Sequence, residues 1–339
     1  MDIKTQEPLR KYTTMRLGGP ARFMATATTI DDVKALYKSA EDHKVPVFIL
    51  GGGSNVIAQD EGFRGIVILN RIKGFTVLGD DGITVKISIG AGEAWDDVVK
   101  QTVAMGLSGI EAMSAIPGTA GAAPVQNIGA YGQEIADTLV SVEAYDSHTN
   151  QMVTLSRDDC ELSYRNSIFR DTQQGRYCIT SITLQLYHAA PRPPFYTSLQ
   201  QYLDERGLSE CTAQDIREAV IAIRANKLPD PTVVANSGSF FKNAIIESWQ
   251  LQELRKQFPD MPSYDMPNGR HKVPTGWLIE RAGLKGWGEN GVRVYDKNAL
   301  VLVNESATSY EALATVRSHV QQTVFDMFRI EIEQEPLEL

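Results

Sequence analysis

The chain has 339 residues, of which 42% are hydrophobic and 22% charged, and it carries a formal net charge of −9 at pH 7. This length predicts two or three domains, and the negative charge argues against nonspecific binding to nucleic acid. The sequence contains no run of about 18 apolar residues, so no membrane span is predicted. The first residues lack the apolar stretch of a signal peptide, so a cytoplasmic location is expected.

The three cysteines, Cys160, Cys178 and Cys211, are odd in number and far apart in the sequence. Without a CxxC pair or a Cys/His cluster, they do not predict a metal site. We expect them to be small, buried hydrophobic side chains in a reducing compartment.

The first 72 residues predict a compact α/β unit. Thr29 and Asp32 have the spacing of a capping box, and the apolar residues after them recur at helical intervals. Strands are predicted at 45–50 and 65–69, because both runs are apolar and rich in β-formers.

The region 73–228 is predicted to begin as sheet and to end in helices. A hairpin is expected at 75–90, because apolar residues alternate from Ile83 to Ile89 after a turn-forming segment. Three further strands are predicted, at 139–146, 151–155 and 177–186. Two capping boxes are predicted after them, pairing Ser198 with Gln201 and Thr212 with Asp215.

A helix with one apolar face is predicted directly after Gly90-Ala91-Gly92. That turn lacks the third glycine of the GxGxxG motif, so a Rossmann fold is not favoured. The apolar face of the helix is formed by Trp95, Val98, Val99 and Val103.

A third α/β region is predicted beyond Pro229 and Pro231, since neither can continue the preceding helix. Its last helix is expected to start at Thr308 with Glu311. Residues 330–335 alternate as a strand would, and carboxylates on one face of it usually mark a solvated sheet edge. The residues of that face are Glu331, Glu333 and Glu335.

Two Gly-rich segments are too poor in side-chain bulk to be ordinary core elements. Residues 51–55 follow an apolar strand, and residues 116–132 contain four glycines and two prolines, with Gly109 just upstream. Such segments are explained if the backbone itself is the contact surface, since glycine permits close approach and N–H groups bind anions. Two such cradles predict a large, extended, anionic ligand, of which a dinucleotide cofactor is the natural example.

Three other polar motifs are candidates for chemistry, each with a structural alternative. Ser239 and Lys242 follow a small polar turn, and the same pattern fits a strand preceded by a turn. A serine there could give up a proton only if its alkoxide were stabilised. Arg165 could stabilise an oxyanion, although an exposed, ion-paired arginine is the commoner case. Lys227 and Lys285 could bind phosphate, although exposed lysines are also commoner.

Five motifs match a known family in order and in spacing. They are 50–55 (LGGGSN), 116–132 (IPGTAGAAPVQNIGAYG), 164–167 (YRNS), 227–231 (KLPDP) and 238–243 (GSFFKN). On these motifs the chain resembles the UDP-N-acetylenolpyruvoylglucosamine reductase family, flavoenzymes that make UDP-N-acetylmuramic acid for bacterial peptidoglycan. The resemblance covers nearly the whole chain.

The resemblance implies an α+β fold with three domains. Residues 1–72 and 73–228 would form a two-part FAD-binding module of the vanillyl-alcohol-oxidase (PCMH) type, with a tyrosine-loop insertion in the second part. Residues 229–339 would form a C-terminal α/β substrate-binding domain. NADPH is the implied hydride donor, and FAD is expected to be noncovalent because neither Gly-rich segment contains His or Cys. The implied FAD contacts are Gly51, Gly52, Gly53, Ser54, Asn55, Ile116, Pro117, Gly118, Thr119, Ala122, Ala123, Gln126, Asn127 and Gly129.

The resemblance also implies catalytic roles. Ser239 would be the proton donor, and Arg165 and Glu335 would stabilise the enolate-like charge formed when hydride reaches the enolpyruvyl ether. The C-terminal segment departs from the family pattern, so a shift of two residues would make Glu333 the functional carboxylate. Residues 193–197 resemble those of the longer family type, in which a tyrosine loop covers the UDP moiety. The implied substrate-binding residues are Tyr196, Lys227, Asn243 and Lys285.

Two other functions stay open at this point. A sugar or lactone oxidase of the same FAD-binding fold would share the Gly-rich segments but not the Ser239 motif or the substrate-domain lysines. A non-catalytic UDP-sugar sensor would not need intact Arg165 and Ser239 motifs. The resemblance favours a monomeric reductase acting on UDP-N-acetylenolpyruvoylglucosamine and NADPH, with no nucleic-acid or membrane partner.

Overall fold

The computed structural model describes residues 2–339. The helices are α1 (Ile30–His43), α2 (Trp95–Ala104), α3 (Thr197–Asp204), α4 (Ala213–Lys227), α5 (Ser248–Gln257), α6 (Thr275–Arg281) and α7 (Tyr310–Phe328). The strands are β1 (Ile3–Pro8), β2 (Pro20–Ala27), β3 (Val47–Leu50), β4 (Val56–Ile57), β5 (Phe63–Asn70), β6 (Phe75–Asp80), β7 (Thr84–Gly90), β8 (Gly129–Ala130), β9 (Gln133–Glu134), β10 (Leu139–Asp146), β11 (Gln151–Ser156), β12 (Tyr177–Tyr187), β13 (Ala235–Ser239), β14 (Ala244–Ile246), β15 (Tyr264–Asp265), β16 (His271–Val273), β17 (Gly288–Glu289), β18 (Val292–Val294), β19 (Val301–Asn304) and β20 (Leu337–Glu338). Within the described part of the chain, no helix is both long and apolar enough to cross a bilayer.

The chain divides into two compact units, each built from segments that are discontinuous in sequence. Unit 1 contains the residues up to Glu7, Ala21–Gly53 and Phe63–Asn226. Unit 2 contains Pro8–Pro20, Ser54–Gly62 and Lys227–Leu339. The three domains expected from the sequence stay a prediction. The first two fall mostly in unit 1, where one apolar core contains most of the first and also Tyr145 and Cys178 of the second, and a further core lies within the second.

The first sheet of unit 1 has the strand order β1-β2-β5-β3 and packs against α1. Both β2 and β3 run parallel to β5. The start of α1 is confirmed: Thr29 Oγ1 accepts the Asp32 N–H at 3.1 Å, and Asp32 Oδ2 accepts the Thr29 N–H at 3.0 Å. These bonds satisfy N–H groups that the helix leaves unpaired. The buried face of α1 contains Val33, Leu36, Tyr37 and Ala40.

The second sheet of unit 1 is antiparallel, with the strand order β11-β10-β12-β7-β6. Its strands confirm the predicted hairpin and the three later strands. The predicted alternation is wrong at Ile83, which is 72% exposed in the turn before β7, whereas Val85, Ile87 and Ile89 are buried. The same core contains the predicted apolar face of α2, formed by Trp95, Val98, Val99 and Val103.

Helices α3 and α4 share a separate apolar cluster. The predicted start of α4 is confirmed, since Thr212 Oγ1 accepts the Asp215 N–H at 3.2 Å. The predicted start of α3 is wrong, because the helix begins at Thr197 after Tyr196 and Ser198 lies inside its first turn. The Ser198 hydroxyl is buried without a hydrogen-bond partner among residues 2–339, so it does not cap the helix.

Unit 2 has two small sheets, β13-β19-β18-β17 and β14-β16-β15, which share one apolar core with α5, α6 and α7. The N-cap of α7 is Ser309, whose hydroxyl accepts the Ala312 N–H at 3.4 Å. The helix therefore starts one residue later than the predicted Thr308 pair. Its predicted apolar face is buried and contains Leu313, Val316, Val320 and Val324.

The cysteines are free and buried, as predicted. Burial raises the pKa of the Cys160 and Cys178 thiols to about 12, because apolar surroundings disfavour the thiolate. Both thiols are therefore inert at neutral pH.

Candidate active site

The two Gly-rich segments touch each other in unit 1. A Cβ atom on Gly51 would lie 2.5 Å from Thr119 Oγ1, and one on Gly52 would lie 2.8 Å from the Cα of Gly118. Gly53 and Gly118 have φ values of +65° and +126°, which residues with side chains rarely adopt. These glycines are therefore needed for contact between the segments, in addition to any contact with a ligand.

The second Gly-rich segment is held by the turn that precedes α2. The Ala120 N–H donates to Glu93 O at 2.9 Å. The Gly121 N–H donates to Ala91 O at 2.9 Å. These two N–H groups are bonded within the protein, and neither residue is among the predicted FAD contacts.

Backbone strain is concentrated around the second Gly-rich segment. Four residues other than glycine have φ between +46° and +57°, namely Ala115, Asn127, Tyr131 and Arg165. Such conformations cost on the order of 1–3 kcal/mol each and persist only where the surrounding structure imposes them. The fold therefore holds this segment in one unusual path.

Arg165 lies against the second Gly-rich segment. Its Nη2 donates to Gly129 O at 2.8 Å and its Nη1 to Asn127 O at 3.3 Å. The Asn127 side chain is fixed in turn, because it donates to Ser163 O at 3.1 Å and accepts the Ala136 N–H at 3.1 Å. The guanidinium is thus a preoriented positive charge beside the predicted cofactor-binding backbone.

The other predicted FAD contacts of this segment form one continuous stretch of chain. Residues 116–119 lead into two short 3₁₀ turns, Ala120–Ala122 and Pro124–Gln126. The Gln126 side-chain oxygen accepts a hydrogen bond from Arg170 at 3.0 Å. This stretch is therefore supported both by its own turns and by side chains from later in unit 1.

Arg71 is a residue that the sequence analysis missed. Its Nη1 donates to Gly51 O at 3.0 Å and to Asn70 O at 2.8 Å. Burial lowers the pKa of this guanidinium, with no compensating carboxylate among residues 2–339. The parallel pairing of β3 with β5 could have indicated it, since loops that follow neighbouring parallel strands share one sheet edge.

Asp96 ties α4 to the start of the second Gly-rich segment. Arg217 donates to both of its carboxylate oxygens, at 2.6 and 2.8 Å, and the Ala115 N–H donates to Oδ1 at 2.6 Å. Burial raises the pKa of Asp96, but the bonds from Arg217 and Ala115 outweigh burial and the net shift is downward. No sequence motif indicates this connection, because its three residues lie on separate segments.

Tyr196 immediately precedes α3 and is 45% exposed. Its ring packs edge-on against Tyr131, with centroids 5.9 Å apart at an interplanar angle of 90°. Burial raises the pKa of Tyr131 and lowers that of Arg224, which interact electrostatically. Unit 1 therefore places the predicted loop tyrosine beside the second Gly-rich segment. Lys227 is the exposed last residue of α4.

Ser239 ends β13 in unit 2, and the chain after it pairs with the C-terminal segment. The Glu335 N–H donates to Phe240 O at 2.8 Å, and Phe241 forms an isolated antiparallel bridge with Gln334. Phe240 and Phe241 are buried, which fixes this stretch in the core. The structure thus brings together the segments that carry the predicted serine and the predicted glutamate.

The two candidate glutamates differ in their surroundings. Glu333 has a side chain that is 73% exposed and forms an ion pair with Lys242 at 3.0 Å. Glu335 is only 9% exposed. The expectation of a strand over 330–335 with one solvated glutamate face is therefore wrong: Glu335 is buried, and residues 330–333 form no strand.

The end of the first Gly-rich segment also meets the C-terminal segment. Asn55 O accepts the Leu337 N–H at 3.0 Å, and Asn55 Nδ2 donates to Glu335 O at 3.5 Å. Beyond Asn55, β4 pairs in parallel with β20. A predicted cofactor contact and a predicted catalytic residue are thereby neighbours in unit 2.

The remaining predicted substrate contacts of unit 2 already have protein partners. Asn243 Oδ1 accepts the Thr275 N–H at 3.1 Å at the start of α6. Lys285 forms an ion pair with Glu280 at 2.9 Å. Substrate binding at either residue would have to share or replace these bonds.

Comparison with known protein families identifies the class of protein first. A family model described as an FAD binding domain matches residues 21–156, which include both Gly-rich segments. A model described as the C-terminal domain of UDP-N-acetylenolpyruvoylglucosamine reductase matches residues 230–338, which include Ser239 and Glu335. The chain is a flavoprotein with a distinct C-terminal domain.

Individual relatives narrow this class to one family. A UDP-N-acetylenolpyruvoylglucosamine reductase from Ralstonia nicotianae is 41% identical over 97% of this chain and 97% of the relative. One from Neisseria gonorrhoeae is 40% identical over 98% of this chain and 96% of the relative. The chain belongs to the UDP-N-acetylenolpyruvoylglucosamine reductase family, which confirms the resemblance drawn from the five motifs.

A solved structure has the same fold. The UDP-N-acetylenolpyruvylglucosamine reductase from Thermus caldophilus is 22% identical and matches with a TM-score of 0.69. The match covers 99% of this chain and 98% of the other. The predicted α+β fold with an FAD-binding module and a C-terminal domain is confirmed.

The residues present fit FAD. The two Gly-rich segments approach so closely that a Cβ at Gly51 or Gly52 would collide with the neighbouring segment, which leaves backbone as their surface. Arg71 adds a partly buried cation to the first segment. Backbone amides with an adjacent guanidinium suit the diphosphate of a dinucleotide. Among residues 2–339, no group of three or more His, Cys, Asp or Glu is placed to hold a metal ion.

Proposed function

We propose that this chain reduces UDP-N-acetylenolpyruvoylglucosamine to UDP-N-acetylmuramate, with NADPH as hydride donor and noncovalent FAD as resident cofactor. Family membership over nearly the full chain supports the reaction, and the FAD binding domain supports the cofactor. The observation that carries the proposal is the pairing of the Ser239 strand with the Glu335 segment. This pairing gives one part of unit 2 both a hydroxyl and a carboxyl group.

FAD is assigned to the two Gly-rich segments and to Arg71. When bound, FAD accepts hydride from NADPH and delivers it to the substrate. Arg71 places a full positive charge next to Gly51, where the backbone amides supply only partial charges. Because neither segment contains His or Cys, acid precipitation of the protein should release the flavin.

Ser239 is assigned as the proton donor. Its Oγ would give a proton to the substrate carbon beside the carboxylate, after the neighbouring carbon has accepted hydride. Glu335, carrying its proton, and Arg165 would offset the negative charge that develops on the substrate carboxylate. The burial of Glu335 and the exposure of Glu333 support Glu335 as the functional residue.

Four residues are assigned to the polar groups of the UDP-sugar: Tyr196, Lys227, Asn243 and Lys285. The ring of Tyr196 is partly exposed and available to a ligand. Tyr196→Ala should raise the KM for the UDP-sugar and leave flavin reduction by NADPH unchanged. An unchanged KM would remove Tyr196 from the substrate site.

The predicted cytoplasmic location and monomeric state belong to this proposal. Light scattering on the FAD-loaded protein should give the mass of one chain. Fractionation of cells should recover the protein with the cytoplasm. A dimer mass, or recovery with the cell envelope, would correct the corresponding assignment.

An anaerobic flavin experiment tests the reaction and the role of Ser239 together. NADPH should bleach the flavin band, and the UDP-enolpyruvyl sugar should restore it. Ser239→Ala should bleach normally but slow the recovery by about 10²–10⁴-fold, the range that general acid catalysis supplies. Ser237→Ala is the matched control, because Ser237 is a buried serine of the same strand and should leave both steps intact.

Each alternative has its own result in that experiment. Equal slowing of bleaching and recovery in Ser239→Ala would contradict its role as proton donor. Recovery of the wild-type flavin only when air is admitted would favour the sugar or lactone oxidase. A colourless protein that cannot be reconstituted with FAD would overturn the cofactor assignment.

A further inference from the structure

Arg317, in α7, is hydrogen-bonded to two residues that flank Glu335. Its Nη1 donates to Gln334 Oε1 at 2.8 Å and to Glu338 Oε2 at 3.0 Å. Its Nη2 donates to Tyr310 OH at 3.2 Å, earlier in the same helix. The Arg317 side chain is 20% exposed, so these charge-assisted bonds form in largely desolvated surroundings.

The partners of Arg317 make further hydrogen bonds on the C-terminal side of Glu335. Gln334 Nε2 donates to Pro336 O at 2.9 Å. Glu338 Oε1 accepts a bond from Gln59 Nε2 at 2.9 Å, next to the strand pairing of β20 with β4. Arg317 therefore joins a hydrogen bond before Glu335 to one after it.

Backbone hydrogen bonds hold alternate residues of this segment, because the N–H groups of Glu335, Leu337 and Leu339 donate to other segments. These bonds fix the main chain and leave the directions of the side chains to other contacts. Residues 329–333 form no strand, and β20 has only two residues. Each irregular residue that is held in one conformation costs conformational entropy, which side-chain bonds must offset. A planar guanidinium suits this task, because it directs several N–H donors at fixed angles.

We propose that Arg317 is a positioning residue for Glu335. By holding Gln334 and Glu338, it sets the direction of the carboxyl group that acts in the substrate step. This inference rests on the proposed function of Glu335. The reduction of FAD by NADPH does not use that carboxyl group, so it should not respond to Arg317.

The test compares the two half-reactions in Arg317→Met, which keeps a long side chain but removes the charge and all donors. FAD content and bleaching by NADPH should be unchanged. Recovery of the flavin with the UDP-enolpyruvyl sugar should slow by about 10–100-fold, as expected for a displaced catalytic group. Arg317→Lys should be intermediate, because an ammonium lacks the planar fork of the guanidinium.

Arg329→Met is the matched control. Arg329 directly follows α7, is 71% exposed and pairs only loosely with Asp326 at 3.9 Å. Both half-reactions should be normal in this variant. Normal recovery in Arg317→Met would overturn the inference, and so would equal slowing of both steps with loss of FAD. If Arg317→Met does not fold, bleaching and recovery of the flavin are compared in Arg317→Lys and Gln334→Ala, and normal recovery in both variants would overturn the inference.

Glu335→Gln separates this inference from the function on which it rests. If Glu335→Gln recovers at the normal rate, the proposed role of Glu335 fails and the inference fails with it. If Glu335→Gln is slow while Arg317→Met is normal, only the inference fails. Slow recovery in both variants, with normal bleaching, is the expected result.

Discussion

Two segments of the molecule lack long regular elements and are nevertheless fixed, but by opposite means. The second Gly-rich segment, 116–132, is held by close backbone contacts that require small residues. The C-terminal segment, 329–339, has backbone bonds at alternate residues and is further held by large polar side chains, with Arg317 and Glu338 at the centre. Substitutions that add side-chain atoms should therefore disrupt the Gly-rich segment. Substitutions that remove polar side chains should disrupt the C-terminal segment.

This difference matches what each segment is proposed to do. A backbone surface that binds a cofactor needs the absence of side chains, because the ligand and the neighbouring segment both approach the main chain. A segment that carries a reacting carboxyl needs that one side chain held in direction, which requires bonds from other side chains. Single substitutions can separate these two ways of holding a segment.

Adding one methyl group in the cofactor region should have the largest effect. In Gly52→Ala the new Cβ would lie 2.8 Å from the Cα of Gly118, so backbone must move. We expect a loss of about 3 kcal/mol in stability, and titration of the apoprotein should show an FAD Kd raised by about tenfold or more. Gly79→Ala is the control, since its Cβ would meet nothing within 4 Å. Unchanged FAD binding in Gly52→Ala would contradict the contact between segments.

An ion pair in the second sheet of unit 1 lies outside both segments and provides a reference for the size of their stability effects. Hydrogen bonds from Arg176, at 2.9 and 2.7 Å, lower the pKa of buried Asp146 from 3.8 to about 2. The pKa of Asp146 is lower in the folded protein than in the unfolded chain. The ion pair therefore contributes its full stability at pH values above the pKa of the unfolded chain. That stability is lost as the pH falls through the pKa of the folded protein.

The expected loss at Asp146 is about 2 kcal/mol. Acid unfolding monitored by circular dichroism should show this loss of stability between pH 3.8, the pKa in the unfolded chain, and about pH 2, the pKa in the folded protein. Asp146→Asn should remove that contribution at neutral pH and flatten the stability profile in this window. An unchanged profile would mean that Arg176 does not stabilise the carboxylate in the folded state.

Breaking the connection at the start of the Gly-rich segment should have a smaller effect. Arg217→Met leaves Asp96 without its bidentate partner, but Asp96 is 39% exposed and solvent screens its charge. We expect about 1–2 kcal/mol of destabilisation, less than for a fully buried pair. FAD affinity should weaken as well, because Asp96 holds the Ala115 N–H. Arg157→Met breaks an exposed pair and should change neither the melting temperature nor FAD affinity.

Neutralising one charge of the C-terminal segment should have the smallest effect. Burial raises the pKa of Glu338, but the bonds from Tyr310, Gln59 and Arg317 outweigh it and the net shift is downward. Glu338→Gln keeps one acceptor oxygen, which can face Arg317, and loses the charge and the acceptor that Gln59 and Tyr310 use, at a cost of about 1 kcal/mol. Stopped-flow measurements should show slower flavin recovery with substrate and unchanged FAD affinity. Weaker FAD binding instead would contradict the separation of the two ways of holding a segment.

Local features of the chain were predictable with good accuracy. The Thr29 capping box and the apolar face of α2 lie within one or two helical turns of sequence, where spacing directly sets geometry. The errors occurred where a competing contact decided the outcome. Ser198 has capping-box spacing, yet its hydroxyl is buried inside α3. Ile83 continues an apolar alternation, yet the turn leaves it exposed.

The candidate site divides in the same way. The motifs led to the Gly-rich segments, Arg165 and Ser239, because each is a compact string of residue types with its own chemistry. No string indicated Arg71 or Arg317, since their partners lie on other segments. Parallel pairing of β3 with β5 is the one signal that could have placed Arg71 near Gly51.

By itself, the sequence determined the family, the cofactor and most helices and strands, because motifs, capping and periodicity act over short distances along the chain. It favoured Glu335 as the catalytic carboxylate and left open a shift of two residues to Glu333. Only the tertiary structure distinguished them, by burying Glu335 beside Asn55, 280 residues away in the chain, and leaving Glu333 exposed with Lys242. The burial of a carboxyl group depends on which residues from distant parts of the chain pack around it, and a local sequence pattern does not specify those residues.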